Sequence, residues 1–309
     1  MYVQERLADD AERLLYFRHA PPILERHFDL AAYPTKRPQP PYKNAKGWHC
    51  SVYYFWWAFL KENQAFRQGH LLDPSTPEGR VARHFRDVGT MNFPNWWINV
   101  GRFLFAEPRD EGIRVEAPPV APEAIKERVL LSVPFNGDIE RTLSEMRTVL
   151  SAAFSAQGLD AGPSRARFPV LLTSPLHSLY RRYQVFRARR DNPDLTLHEV
   201  GLIAGLLPNG PLEDFDVRRV LAATTSRYLK EATFIVEQVG RGLFPIMNQQ
   251  QLAQVQAGVT VDAVVDDDLE TTSPEEMAQW IDRVYRNDPE RAQKYRAEIL
   301  PRLLDGLTT

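Results

Sequence analysis

Apolar residues recur at helical spacing along most of the chain, and this pattern predicts a mainly α, multi-helical fold with few short strands. From Val3 to Phe17 the apolar positions follow a helical period, which predicts an N-terminal helix. A second short helix is predicted over residues 22–28, with Pro22 in its first turn. The run Val129–Val133 is the clearest strand candidate, because it is short and continuously apolar.

Aromatic side chains are concentrated in two segments. Seven of the twelve residues from Trp48 to Phe59 are aromatic. In a helix that begins after Ser51, one aromatic face would pack against a core, and residues 61–63 at its end would be exposed to solvent. Trp96 and Trp97 lie in a second such run, and we expect both runs to meet in one aromatic core. A base-stacking platform is the alternative, but such platforms normally interleave aromatic with basic residues.

Several short motifs mark the beginnings of helices. Thr76 and Pro77 form an N-cap followed by a first-turn proline, and we expect that helix to end at Gly89. Asp138 is a candidate N-cap for a helix in the next segment. Ser273-Pro274-Glu275-Glu276 is a further helix start, and it opens a predicted C-terminal helical hairpin.

The segment 176–239 is the one around which the chain is organised. A basic amphipathic helix is predicted from Leu176 to Arg190, and the turn residues 191–193 end it. Thr196 and Glu199 have the spacing of a capping box, which predicts a short helix to about residue 206. Asp216 is the predicted N-cap of a long helix to residue 239 that stops at Gly240. We interpret this order as a helix-turn-helix-like module.

The distribution of proline, glycine and charge divides the chain further. Residues 33–46 are rich in proline and basic groups, which indicates either a loop that bridges two helices or a basic arm along a DNA backbone. We therefore predict N-terminal helices with a basic arm (1–47), an aromatic-rich helical module (48–117), a strand-helix connector and linker (118–168), the helix-turn-helix-like module (169–245) and an acidic C-terminal hairpin (246–309).

Composition describes an ordinary globular protein with an uneven charge. Hydrophobic residues make up 43% and charged residues 25% of the 309 residues, and the net charge is −2. Residues 163–230 carry 11 basic and 6 acidic side chains, whereas residues 231–309 carry 7 basic and 14 acidic ones. A basic middle beside an acidic end is a moderate polyanion-binding pattern.

One cysteine, Cys50, excludes an internal disulfide framework and a multi-cysteine zinc site. We expect a cytoplasmic protein without a signal peptide or a membrane contact, because the N-terminus is charged and apolar runs are short.

The arginines of the central segment are the candidate functional residues. Arg218 and Arg219 fall in the first turn of the long helix, where a side chain of a helix in the major groove reaches guanine. Arginines of the predicted helix from Leu176 to Arg190 would then contact phosphates and make binding depend steeply on salt. The alternative is a solvated helix face with ordinary ion pairs. The candidate residues for contact with double-stranded DNA are Arg181, Arg182, Arg187, Arg189, Arg190, Arg218, Arg219, Thr225, Ser226, Arg227 and Lys230.

Sequence signals for an enzyme are weaker. The seven histidines lack metal-site spacing, phosphate-binding and nucleophile motifs are absent, and the His49-Cys50 pair fits packing better than catalysis. We expect no catalytic residue, metal or cofactor, although a divergent nuclease with scattered carboxylates stays open. A structural or adaptor subunit is the other alternative, since the C-terminal hairpin could cap the fold, make a homodimer or bind a protein partner.

Two segments resemble a known group of proteins. YYFWWAFLKENQAFR (53–67) is similar to the W-x-FLRRN-x-x-YR motif of transcriptional-regulator-like proteins of proteobacterial mobile elements. The region from 195 to 245 resembles their C-terminal DNA-binding domain, in which a short x-EIA helix precedes an arginine-led helix. Here Glu199-Val200-Gly201 departs from that motif by a glycine in place of alanine. The resemblance covers about a third of the chain and implies sequence-specific DNA binding with a regulatory role on a plasmid, phage or integrated element.

Overall fold

The computed structural model describes residues 3–7, 10–24, 38–67, 73–86, 88–107, 142–143, 146–150, 164, 166–258 and 273–308. The chain divides into two units. The smaller unit consists of residue 1 and residues 108–165, and in it residues 142–143 and 146–150 are helical. The main unit consists of residues 2–107 and 166–309. The predicted strand Val129–Val133 and the predicted N-cap Asp138 lie outside the described residues.

The N-terminus forms a β-hairpin, so the predicted N-terminal helix is wrong. Strands β1 (Val3–Leu7) and β2 (Asp10–Phe17) pair antiparallel, with Val3 opposite Phe17. Side chains two residues apart share one face of a strand, and on that face of β2 Leu15 packs against the core and Phe17 is fully buried. The Phe17 ring lies 5.7 Å from that of Trp97. The local sequence fits the period of a helix and that of a strand. Contact with distant aromatic residues thus decides in favour of the strand. Residues 22–24, the described part of the predicted second helix, are not helical either.

Helix α1 (Val52–Glu62) begins at Ser51, as predicted. The Ser51 hydroxyl accepts a hydrogen bond from the Tyr53 amide at 3.3 Å and donates one to the Ala20 carbonyl at 2.9 Å. The helix is buried nearly all round, whereas the sequence pattern predicted a single buried face. Glu62 was expected in solvent, but its side chain is 7% exposed and pairs with Arg190. This helix therefore lies inside the fold.

Shorter helices follow α1. Thr76 caps the next long one as predicted, with its hydroxyl accepting from the Gly79 amide at 3.0 Å. That helix ends at Phe85, so Gly89 does not terminate it. The elements are α2 (Gln64–Arg67), α3 (Pro77–Phe85), α4 (Phe93–Trp96), a π-helical turn (Trp97–Gly101) and α5 (Arg102–Phe105).

The predicted central and C-terminal helices are all present. The Thr196 amide donates to the Glu199 carboxylate at 2.8 Å, and the Ser273 amide donates to that of Glu276 at 2.7 Å, which confirms both helix starts. The helices are α6 (Leu176–Asp191), α7 (Leu197–Ile203), α8 (Phe215–Gly240), α9 (Gln249–Gln256), α10 (Pro274–Val284) and α11 (Pro289–Thr308). The mainly α prediction is confirmed, since the one sheet of the described residues is the β1–β2 hairpin.

Two hydrophobic clusters hold the main unit together. The aromatic core joins α1, α3, α4 and α5 to α6 and α8, and it includes both predicted tryptophan pairs, 56–57 and 96–97, which confirms that they meet. Fully burying one large apolar side chain contributes about 1.5–3 kcal/mol. The C-terminal core joins α7, α8, α10 and α11 to Val185 of α6. The predicted C-terminal hairpin therefore packs its apolar face into the fold.

Helix α8 connects the two cores along its length. Leu221 and Tyr228 of its N-terminal half belong to the C-terminal core, and Ile235 and Val239 of its C-terminal half belong to the aromatic core. The opposite side of the helix meets solvent over much of its length. No helix in the described part of the chain combines the length and apolar character needed to span a membrane.

Candidate nucleic-acid interface

Helix α6 contains two buried arginines. Arg181 is 5% exposed and Arg182 is fully buried. The Arg182 guanidinium lies 4.8 Å from the Tyr228 ring centroid, and its Nη1 donates to the Ser178 carbonyl at 3.0 Å. Its Nη2 lies 2.7 Å from Oε2 of Glu231 in α8. These two arginines cannot reach DNA phosphates, so their prediction as DNA contacts is wrong.

The position of α6 between the two cores explains this error. Leu179, Tyr180 and Tyr183 belong to the aromatic core, and Val185 belongs to the C-terminal core. A single apolar stripe on a surface helix leaves its opposite side in solvent, but here α8 covers that side. An arginine interior to a fold needs a carboxylate and further hydrogen bonds, and Glu231 with Ser178 supplies them.

The remaining arginines of α6 are half-buried and interact within the fold. Arg190 pairs with the buried Glu62 and with Asp191, and these carboxylates raise its pKa. Arg189 donates to the Leu195 carbonyl in the turn before α7. Arg187 lies 5.7 Å from the Tyr183 ring centroid. The helix is therefore tied to α1 and to its following turn, and it does not present the predicted open phosphate clamp.

The first turn of α8 separates its two arginines. Asp214 is the N-cap, and its side chain accepts from the Asp216 amide at 2.8 Å, so the predicted N-cap is two residues too late. Arg218 turns back, and its Nη1 donates to the carbonyls of Leu212 and Glu213. Arg219 points outward, with a 68% exposed side chain 3.0 Å from the Asp216 carboxylate. Arg219 is the more exposed residue of this pair, and Arg218 is half-buried.

Thr225 lies in the contact between α7 and α8, and it is fully buried. Its hydroxyl donates to the Leu221 carbonyl at 2.8 Å. A β-carbon added at Gly201 would lie 2.3 Å from the same hydroxyl oxygen. The glycine that departs from the x-EIA motif therefore lets α7 approach α8 closely, and the prediction that Thr225 contacts phosphate is wrong.

Four predicted contact residues remain on one outward side of α8. Arg219, Arg227 and Lys230 are exposed and Ser226 is half-exposed, and exposed Ala223 lies among them. We call these five residues the α8 face. At about 1.5 Å of rise per residue, the face is roughly 16 Å long. This length is similar to the width of the DNA major groove, which is about 12 Å. Arg227 also lies 5.0 Å from the Tyr228 ring centroid, which orients its guanidinium.

Two exposed apolar side chains border the α8 face. Phe215 is 69% exposed and Val220 is 54% exposed. Exposed apolar groups of this size often mark a binding surface, and apolar groups in a major groove contact thymine methyls. The sequence pattern did not reveal these two residues as surface groups, because Phe and Val on an amphipathic helix normally indicate the buried side.

The connections between the three central helices differ in length. Residues 192–196 join α6 to α7, and residues 204–214 join α7 to α8. In DNA-binding helix-turn-helix motifs a turn of about 3–4 residues precedes the recognition helix. The eleven-residue connection before α8 is tied to the C-terminal hairpin, because the Leu212 amide donates to Tyr285 Oη at 3.0 Å and Trp280 Nε1 donates to the Pro208 carbonyl at 3.1 Å.

The His49-Cys50 pair lies beside α1 and packs as the sequence suggested. Tyr42 Oη and His49 Nδ1 are hydrogen-bonded at 2.5 Å. Burial lowers the pKa of His49 to about 4 and raises the pKa of the Cys50 thiol, which opposes formation of a thiolate nucleophile. Within the described ranges, no three His, Cys, Asp or Glu side chains are grouped as a metal site requires.

Comparisons with known proteins add no relative to this geometry. No protein-family model, curated protein or solved structure matches the chain. A functional proposal for this chain therefore rests on its own residues, on their physical arrangement and on the resemblance of residues 53–67 and 195–245 to mobile-element regulators.

Proposed function

We propose that the protein is a non-enzymatic DNA-binding protein that contacts double-stranded DNA through the α8 face. The observation that carries the proposal is the outward presentation of Arg219, Arg227 and Lys230 along one helix whose opposite side is anchored in two cores. A recognition surface requires a rigid support, because ordering mobile side chains on binding costs free energy and weakens the affinity.

Charge and shape support a groove contact. Ala223 and Ser226 are small, so the helix backbone can approach the floor of a groove between the basic side chains. Lys230 and Arg227 suit phosphates, and Arg219 suits either a phosphate or a guanine edge. Arg219 forms an exposed ion pair with Asp216, and because such surface pairs are weak, exchanging that carboxylate for the DNA contact costs little.

We further propose that binding is sequence-specific and serves transcriptional or replication control of a bacterial mobile element or phage, in the cytoplasm. This rests on the resemblance of residues 53–67 and 195–245 to regulators of such elements. Selection of bound duplexes from a random DNA pool tests it. We expect an enriched motif of a few base pairs, whereas retention without any enrichment would leave binding but remove specificity, and no retention would refute the proposal.

A second candidate function is that of an adaptor subunit in a larger complex. Phe215 and Val220 favour it, because their exposure beside the α8 face fits a protein partner as well as a groove. Purification at low salt separates the two functions. A DNA-binding protein retains nucleic acid and absorbs strongly at 260 nm, whereas an adaptor elutes free of nucleic acid.

A further inference from the structure

A cavity of about 360 Å³ lies between α7, the start of α8 and α11. Three basic side chains line it: Arg218 from α8, and Lys294 and Arg302 from α11. Two carboxylates, those of Glu199 and Glu298, also line it. With neutral histidine, the lining therefore has a net charge of +1. This small net positive charge favours an anion over a cation as the ligand.

The basic groups of the cavity differ from their neighbours on the same helix. Arg291 lies 3.3 Å from Glu213, and Arg296 pairs with Asp282. Lys294 and Arg302 form no ion pair with a side chain that the structure describes, although hydrogen bonding from Thr196 and the charge of Arg302 both lower the pKa of the Glu199 carboxyl. Helix α11 thus pairs the arginines outside the cavity directly, whereas its two cations inside the cavity make no direct ion pair with a described side chain.

Arg218 adds a positioned donor to this cavity. Both of its hydrogen bonds leave from Nη1, toward the Leu212 and Glu213 carbonyls, and they fix the guanidinium plane. A guanidinium has five N–H groups, so Nε and Nη2 remain to bind an oxyanion side-on. The Glu199 carboxylate accepts from the Thr196 amide at 2.8 Å and from the Thr196 hydroxyl at 2.6 Å, both through Oε2, and among the described side chains no hydrogen bond joins it to Arg218.

Apolar side chains complete the lining. Leu202 and Ile299 are members of the C-terminal core that also reach the cavity. We propose that this cavity binds a small organic oxyanion, a carboxylate or a phosphate monoester carried on a compact apolar group. The basic side chains hold the oxyanion, and the apolar group lies against the core.

Binding here would act on the first turn of α8. Arg218 faces the cavity and the adjacent Arg219 belongs to the α8 face, so an anion that holds Arg218 fixes the turn that presents Arg219. This regulatory consequence rests on the proposed DNA-binding function, whereas the anion site itself does not.

Titration calorimetry with benzoate and with phenyl phosphate, with neutral benzyl alcohol for comparison, tests the site on the full chain. We expect at least one of the anions to bind and benzyl alcohol not to bind. Lys294→Met with Arg302→Met should weaken anion binding about tenfold or more, because charge-assisted hydrogen bonds are lost. The matched control, Arg291→Met with Arg296→Met, removes the same charge from the same helix and should change binding less than about twofold.

Two results would overturn the proposal: no binding of either anion, or equal weakening in both double variants. Circular dichroism of each variant establishes that it is folded. Inorganic phosphate and a short DNA duplex serve as competitors, and displacement by duplex alone would assign the cavity to the DNA surface. Repeating the DNA titration with bound phenyl phosphate tests the regulatory consequence separately, since anion binding is measured without DNA.

Discussion

Arg182 of α6 and Glu231 of α8 form an ion pair with Nη2 and Oε2 2.7 Å apart, and the arginine side chain is fully buried. Breaking a buried pair from one side leaves an uncompensated charge, which costs about 3–5 kcal/mol, whereas replacing both partners costs less. We expect Glu231→Leu to lower the free energy of unfolding by about 3 kcal/mol, measured by urea denaturation. Arg182→Leu with Glu231→Leu should be more stable than Glu231→Leu alone. A double variant less stable than that single one would contradict this account of the pair.

The contact between Gly201 and Thr225 leads us to predict that Gly201→Ala lowers stability. Helix propensity alone predicts the opposite. On a solvated helix, glycine to alanine stabilises by roughly 0.5–1 kcal/mol. Here the added β-carbon would lie 2.3 Å from Thr225 Oγ1, so Gly201→Ala should destabilise by about 1–3 kcal/mol. In a Thr225→Ala background the same change should cost much less. Thermal and urea unfolding of the four proteins measure this coupling, and a stabilising Gly201→Ala single variant would show that α7 does not approach α8 closely.

Two histidines, half-buried His19 and buried His49, predict how stability depends on pH. Burial lowers the pKa of His19 and that of His49 from 6.5 to about 4 in the folded protein. Between pH 6.5 and 4 the unfolded chain binds more protons, so stability is fully present above pH 6.5 and falls as the pH decreases. His49→Gln should flatten that slope by up to about 1.4 kcal/mol per pH unit. His84→Gln, at a half-exposed position, should flatten it much less. Urea unfolding across this pH range would contradict the account if the two variants behaved alike.

Much of the fold could be predicted from local sequence. Caps, capping boxes and apolar periods act within a few residues, and they correctly placed α6, α7, α8 and the C-terminal hairpin. The β-hairpin was missed because its leucines fit a helical period equally well, and distant packing of Phe17 decided between the two.

The candidate site was less predictable for a related reason. The sequence shows which side of a helix is apolar but not how many neighbours cover it. Arg182 lies on a helix that is covered from both sides, and Thr225 lies on the side of α8 that packs against α7, so both polar residues face the interior. Phe215 and Val220 are the opposite case, since they are apolar residues of α8 whose side chains are exposed.

The size of Ala223 tests whether the α8 face enters a groove. Ala223→Leu keeps helix propensity high and adds bulk between the basic side chains. We expect about tenfold weaker DNA binding, equivalent to the loss of one base-pair contact. Ala253→Leu, at an exposed position of α9, is the control and should leave DNA binding unchanged. Fluorescence anisotropy with a selected duplex makes the measurement, and an Ala223→Leu variant with wild-type affinity would restrict the α8 face to backbone contacts.

The most direct test of the central claim is the salt dependence of DNA binding by two charge-matched variants. One combines Arg219→Gln, Arg227→Gln and Lys230→Gln on the α8 face. The other combines Arg83→Gln, Arg283→Gln and Arg286→Gln, three exposed positions on α3, on α10 and just after α10. If the α8 face binds DNA, the first variant should reduce the magnitude of the slope of log K, the association constant, against log salt concentration by about 3. Each phosphate contact contributes about 0.9 to that magnitude. The second variant should keep the wild-type slope. Equal slopes for wild type and the α8-face variant would contradict the claim that α8 is the DNA-contacting element.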